Sequence, residues 1–90
     1  MPLRSKYVKS GKWRTLEWGW NTSFGCRFRY PVGAQIRVAY GPGFGGQRQT
    51  LDGNPKLIRV GGGSLFVARV QMKVAQSATV EYEYLAIDQF

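Results

Sequence analysis

The chain reads as an all-β protein: a single small antiparallel β-sandwich or barrel of about 7–8 strands with glycine-rich loops. Three observations predict this. Apolar and polar residues alternate with period 2 through most of the sequence, the signature of a strand with one buried face. Nowhere do apolar residues recur at i, i+3, i+4 and i+7 over ten residues without glycine or strand alternation intervening, so no helix is expected. Clusters of Gly, Pro, Asn and Asp punctuate the runs at sandwich-like spacing. The 90 residues make one domain, 1–90, with 43% hydrophobic and 14% aromatic residues to build a core. A chain of this size buries only ~60 to 65% of its unfolded surface, so its stability margin is small.

The predicted strands are 4–9, 12–20, 24–30, 34–40, 47–51, 56–60, 65–74 and 78–87. Residues 1–10 form a basic arm or an edge strand. In the second strand Leu16, Trp18 and Trp20 share one parity and Trp13, Thr15 and Glu17 the other. Trp18 and Trp20 are therefore expected in the core. Trp13, between Lys12 and Arg14, is the surface candidate, able to stack on a base or sugar ring while the cations hold phosphate or sulfate.

The third and fourth strands meet at Pro31-Val32-Gly33, which reads as a three-residue hairpin loop with Gly33 in the left-handed conformation. Phe24, Cys26, Phe28 and Tyr30 then face Tyr40, Val38, Ile36 and Ala34 on an apolar surface, and Arg27 lies opposite Arg37 with Arg29 opposite Gln35. Like charges directly opposed cost a few tenths to ~1 kcal/mol unless solvent or an anion relieves them.

A second hairpin is expected around Ala75-Gln76-Ser77. Val74, Met72, Val70 and Ala68 face Ala78, Val80, Tyr82 and Tyr84, and the polar side sets Arg69 against Glu83, Gln71 against Glu81 and Lys73 against Thr79. One surface is thus expected to balance its charges and another to remain cationic. At the open end of this hairpin Leu65, Val67, Leu85 and Ile87 form an apolar patch that needs a cover: the N-terminal strand through Tyr7 and Val8, or a second subunit.

The glycine-rich segments at 41–46 and 61–63 lack the Lys-Ser or Lys-Thr and the following helix of a phosphate-binding loop. They read as connections, with Phe44 a candidate loop anchor for a membrane interface, a sugar face or a partner pocket.

The formal net charge is +8, and all of it lies in the first half. Residues 1–48 carry nine Lys or Arg against Glu17 alone, and residues 49–90 carry four basic and four acidic residues. That asymmetry favours an anionic partner. Catalysis is poorly provided for. Histidine is absent, which removes the commonest general base and metal ligand. The lone Cys26 has no imidazole to activate it, cannot form an internal disulfide, and sits on an apolar parity. Glu81 and Glu83 stand ~6.6 Å apart along one strand face, a separation that overlaps the carboxylate spacing of inverting glycosidases. Both have cross-strand partners, and no enzyme activity, metal or cofactor is expected.

No apolar run reaches the ~20 residues of a membrane helix, and the N-terminus lacks the apolar segment of a signal peptide, so a soluble protein is expected. The resulting expectation is a non-enzymatic binding module for an anionic polymer, nucleic acid or acidic envelope glycan. Its centre is Arg27, Arg29 and Arg37, with Lys9, Lys12, Arg14 and Arg48 nearby and Trp13 stacking. Two other classes fit the composition: a subunit of a homo-oligomeric particle or appendage, and a membrane-active antibacterial protein directed to anionic lipid.

Overall fold

A computed structural model of the chain describes residues 3–41, 44–46, 48–61 and 67–86, with Phe44 and Gly45 described in their backbone only. The described residues form strands β1 (Leu3–Val8), β2 (Arg14–Trp20), β3 (Phe24–Phe28), β4 (Gln35–Tyr40), β5 (Phe44–Gly45), β6 (Gln49–Thr50), β7 (Lys56–Val60), β8 (Val67–Lys73) and β9 (Ala78–Ala86). These make two antiparallel sheets, one ordered β1-β9-β3-β7 and the other β2-β8-β4-β5, with β6 also pairing β4. The protein is a small β-sandwich.

Its connections differ from those the sequence suggests. Except through β4, β5 and β6, every consecutive pair of strands lies in opposite sheets. The expected hairpins at Pro31-Val32-Gly33 and Ala75-Gln76-Ser77 are therefore arches that carry the chain from one sheet to the other. Gly33 does adopt the left-handed conformation, with φ 90°. Its amide donates to the Leu51 carbonyl at 2.7 Å, so the turn is anchored to the segment after β6 and does not close a ladder.

The alternation itself holds, because an arch and a hairpin place the same parity inward. Phe24, Cys26 and Phe28 from β3, Ile36 from β4, Val70 and Met72 from β8, and Val80 and Tyr82 from β9 are all buried in one cluster. Phe28 and Ile36, expected to be cross-strand neighbours, instead lie in opposite sheets. Within the first sheet β3 pairs with β9, so Phe28 and Tyr82 pack ring to ring at 5.2 Å and Phe24 stacks on Tyr84 at 5.7 Å.

The largest departure from simple alternation is in β2. Thr15 pairs with Gln71 of β8 while Glu17, two residues on, pairs with the adjacent Val70, so Leu16 is an extra residue in a β-bulge. A bulge of one residue reverses the facing of everything after it. Leu16 and Glu17 both turn inward and are buried, whereas Trp18 and Trp20 turn outward, 67% and 63% exposed. The expectation that these two tryptophans are core is corrected by that one residue. Gly19 then points inward, where an added Cβ would lie 3.0 Å from the Phe24 ring.

The inward Glu17 is a carboxylate in the core and needs partners. Arg4 of β1 supplies Nη1 at 2.8 and 3.0 Å from its two oxygens, and the Tyr82 hydroxyl donates to Oε2 while lying 3.1 Å from the Leu16 carbonyl. The Arg4 guanidinium also stacks over Tyr84 at 4.2 Å. Burial first, and then the hydrogen bond and charge of Glu17, push the Tyr82 hydroxyl well above its ordinary pKa, which keeps it a donor. The network bolts β2 in one sheet to β1 and β9 in the other.

Arg4→Ala is predicted to destabilise the fold by about 2 kcal/mol, the scale for a charged hydrogen bond removed from a buried partner. This lies below the cost at a fully buried pair because the Arg4 side chain is 45% exposed. Urea unfolding should show a lower midpoint at unchanged m-value. In a double-mutant cycle, R4A/E17A should cost less than the two single changes added together; strict additivity would mean that the pair contributes nothing.

Candidate polyanion-binding face

Directly paired residues of antiparallel strands share a face, so the register builds the outer surface of the second sheet row by row. Lys73 pairs with Gln35; Thr15, Gln71 and Arg37 form the next row; Trp18, Arg69 and Ala39 the next; and Trp20 pairs with Val67. Trp13 sits just before β2 at the Lys73 end. Arg37 reaches across β8 to lie 4.0 Å over the Trp13 ring, and Arg48 approaches the same ring at 5.4 Å.

The surface carries Trp13, Trp18 and Trp20 with Arg37, Arg48, Arg69 and Lys73. Among the described residues it carries no carboxylate, since Glu17 is turned inward, Glu81 and Glu83 lie on the other sheet, and Asp52 approaches Lys56 at 4.0 Å. The cations are held by neutral groups. Arg37 Nε donates to Gln71 Oε1 at 2.9 Å, Gln71 Nε2 donates to Thr15 Oγ1 at 3.2 Å, and Arg69 donates to the Gly41 carbonyl at 2.6 Å. Burial, followed by the like charges of Arg48 and Arg69, draws the pKa of Arg37 below its ordinary value. It stays protonated at neutral pH, but its charge is crowded and uncompensated.

At one end the face opens into a depression of about 430 Å³ lined by Ser10, Gly11, Gly33, Gln35, Arg48 and Lys73, among others. The Gly11 amide donates to the Val74 carbonyl at 3.1 Å, which sets the β1–β2 turn beside the end of β8. Lys9, Lys12 and Arg14, in or next to that turn, are all exposed. They flank this end.

The structure redistributes the arginines expected to form the centre. Arg37 and Arg48 meet at Trp13, whereas Arg27 is on the other sheet, bridged to Glu83 at 2.9 Å. Arg29 follows β3 and donates to the Gly53 carbonyl at 2.8 Å. Arg27 and Arg29 line a second depression, about 500 Å³, together with Glu81 and Glu83. There the charges are mixed. Arg69 and Lys73, expected to be balanced by Glu83 and Thr79, instead stand on the cationic face, and Trp18 and Trp20 join it through the bulge. The sequence carries no composition signal for the bulge.

The apolar patch expected at Leu65, Val67, Leu85 and Ile87 does not assemble through a β8–β9 pairing. Val67 lies on the second sheet, 37% exposed, and Leu85 is fully buried on the first, opposite Gly25. Leu65 and Ile87 lie outside the described residues, as does the Phe44 side chain. Tyr7 and Val8 pair with Thr79 and Ala78 along β9, Val8 buried and Tyr7 exposed.

Among the described residues no group of three or more His, Cys, Asp or Glu side chains gathers where a metal could bind, and no helix is long and apolar enough to cross a membrane. Comparison of the chain with family models, curated proteins and solved structures gave no match.

Cys26 is fully buried, and desolvation, reinforced by the charge of Glu17, pushes its thiol up to about 12. A thiol reagent at pH 8 should leave Cys26 unmodified in the folded protein and label it once the chain is unfolded. Because the folded pKa is raised, the unfolded thiol ionises first. The associated stability is fully present below the ordinary thiol pKa of about 8.5 and is lost as pH rises towards 12. Denaturation midpoints should fall across that window, and a Cys26→Ala variant should fall less.

Proposed function

We propose that this protein is a non-enzymatic binding module that holds an anionic polymer on the outer face of its second sheet. The observation that carries this reading is the company of Arg37, Arg48, Arg69 and Lys73 with three tryptophans and, among the described residues, no carboxylate. The opposite sheet offers a contrast within the same molecule, where Arg27 is bridged to Glu83. An exposed surface of one sign attracts a polyanion from solution and gains from the release of its counterions on contact. Three features support the absence of catalysis: a sequence without histidine, a Cys26 thiol held protonated, and a Glu83 carboxylate engaged by Arg27.

Binding to a phosphate polymer should weaken linearly on a log–log plot of affinity against salt. Arg37→Ala or Arg69→Ala should each reduce the slope by about 0.7 to 0.9, the increment for one phosphate contact. Arg27→Ala should leave it unchanged, because that charge is already paired. Affinity that holds constant between about 50 and 200 mM salt would overturn the reading.

A further inference from the structure

We infer that the polymer is a single-stranded nucleic acid lying along β2 and β8, its bases on the tryptophans and its phosphates over the cations. This rests on the polyanion-binding reading of the same face and deepens it.

The register sorts the face into two parallel tracks. The aromatic track is β2 and the residue before it: Trp13, Trp18 and Trp20. The cationic track is β8 and β4: Lys73 and Arg69 on the first, Arg37 on the second, with Arg48 beside Trp13. Adjacent strands are about 4.8 Å apart, so Lys73 and Arg69 arise roughly 5 Å to one side of the strand that carries Trp18 and Trp20, while Arg37 and Arg48 reach back to the Trp13 ring. The sideways offset is of the order of the distance from base to phosphate within a nucleotide. A single strand has the same two-track character, with stackable rings along one side and charge along the other.

Trp18 and Trp20 are two residues apart on one strand face, about 6.6 Å along the strand, so each presents its own ring. Both are exposed, whereas Trp13 is already covered by Arg37. The free rings are therefore Trp18 and Trp20, and the Trp13–Arg37 stack is a fixed cationic platform at the Lys73 end.

Two other polyanions fit less well. In a duplex the base faces are stacked on one another and offer nothing to Trp18 or Trp20, so only the cations would be used. An acidic glycan can stack on tryptophan and accept from arginine and lysine, but its many hydroxyls also donate, and specific glycan sites pair them with side-chain acceptors. Here the cations are donors only and the Gln71 side chain is already engaged with Arg37 and Thr15. Stacking of bases is tolerant of sequence and needs no edge readout.

The test is fluorescence anisotropy with a thymidine oligonucleotide of about 16 nucleotides, a duplex of equal length, and heparin, all at one ionic strength. The single strand should bind most tightly and quench tryptophan emission. Trp18→Ala and Trp20→Ala should each weaken its binding by roughly fivefold or more while leaving duplex and heparin binding unchanged. Both side chains are exposed, so the core is untouched, and Trp18→Phe, which keeps a stacking ring, should retain most of the affinity. If the single strand binds no better than the duplex, or is indifferent to both alanine variants, the inference fails while the polyanion reading stands. If heparin binds most tightly and is the polymer that loses affinity in Trp18→Ala, a glycan takes its place. If none of the three binds in a salt-dependent way, the proposed function falls with it.

Discussion

The bulge at Leu16 is the constraint on which the rest of this structure depends. Continued alternation would put Trp18 and Trp20 in the core and Glu17 on the surface, and the extra residue exchanges them. The exchange is unfavourable on both counts. Each tryptophan left mostly in water forgoes on the order of 3 kcal/mol of apolar burial, and a carboxylate enters a region where an unpartnered charge is costly. In a domain whose whole stability is expected to be about 5 to 15 kcal/mol, such terms are large. Arg4 and Tyr82 answer the second cost directly, which makes the buried network a consequence of the exposed tryptophans and not a separate feature. Gly19 answers a third, since the reversal sends that position against Phe24.

Much of the fold was legible in the sequence because period-2 alternation reports which side of a strand is apolar. Lys56–Val60 was delimited to the residue, and the buried parity of Phe24, Cys26 and Phe28 is the one observed. Alternation does not report which sheet a strand joins. Two strands joined by a short turn present their apolar sides to a shared core whether they hydrogen-bond to each other or face each other across a sandwich some 10 Å thick. Nothing in Phe24 to Tyr40 separates those cases. Their difference decides the surface chemistry: a hairpin would have set Arg27 against Arg37, and the arch sends them to opposite faces.

The candidate site was legible in part for the same reason. Trp13, Arg37 and Arg48 were readable as exposed aromatic and cationic residues, and they meet at one ring. Arg69 and Lys73 were hidden by the hairpin register that paired them with β9, and Trp18 and Trp20 by the bulge. A bulge leaves the composition of its strand unchanged, so parity counting runs through it unaware. The expected contrast between a balanced surface and a cationic one survives, but on different residues.

The two faces also differ in how their charges are held. On the first sheet the Arg27 guanidinium meets the Glu83 carboxylate, and the pair is complete without a ligand. On the second, Arg37 is held in place by an amide and an aromatic ring, neither of which neutralises it, while Arg48 and Arg69 stand close enough to lower its proton affinity. Such an arrangement fixes the position of a charge without satisfying it. An anion arriving there finds a guanidinium already oriented, so less side-chain freedom is lost on binding, and it relieves a repulsion that the free protein carries. The same feature that makes the face slightly unfavourable in isolation makes it suited to hold a polyanion.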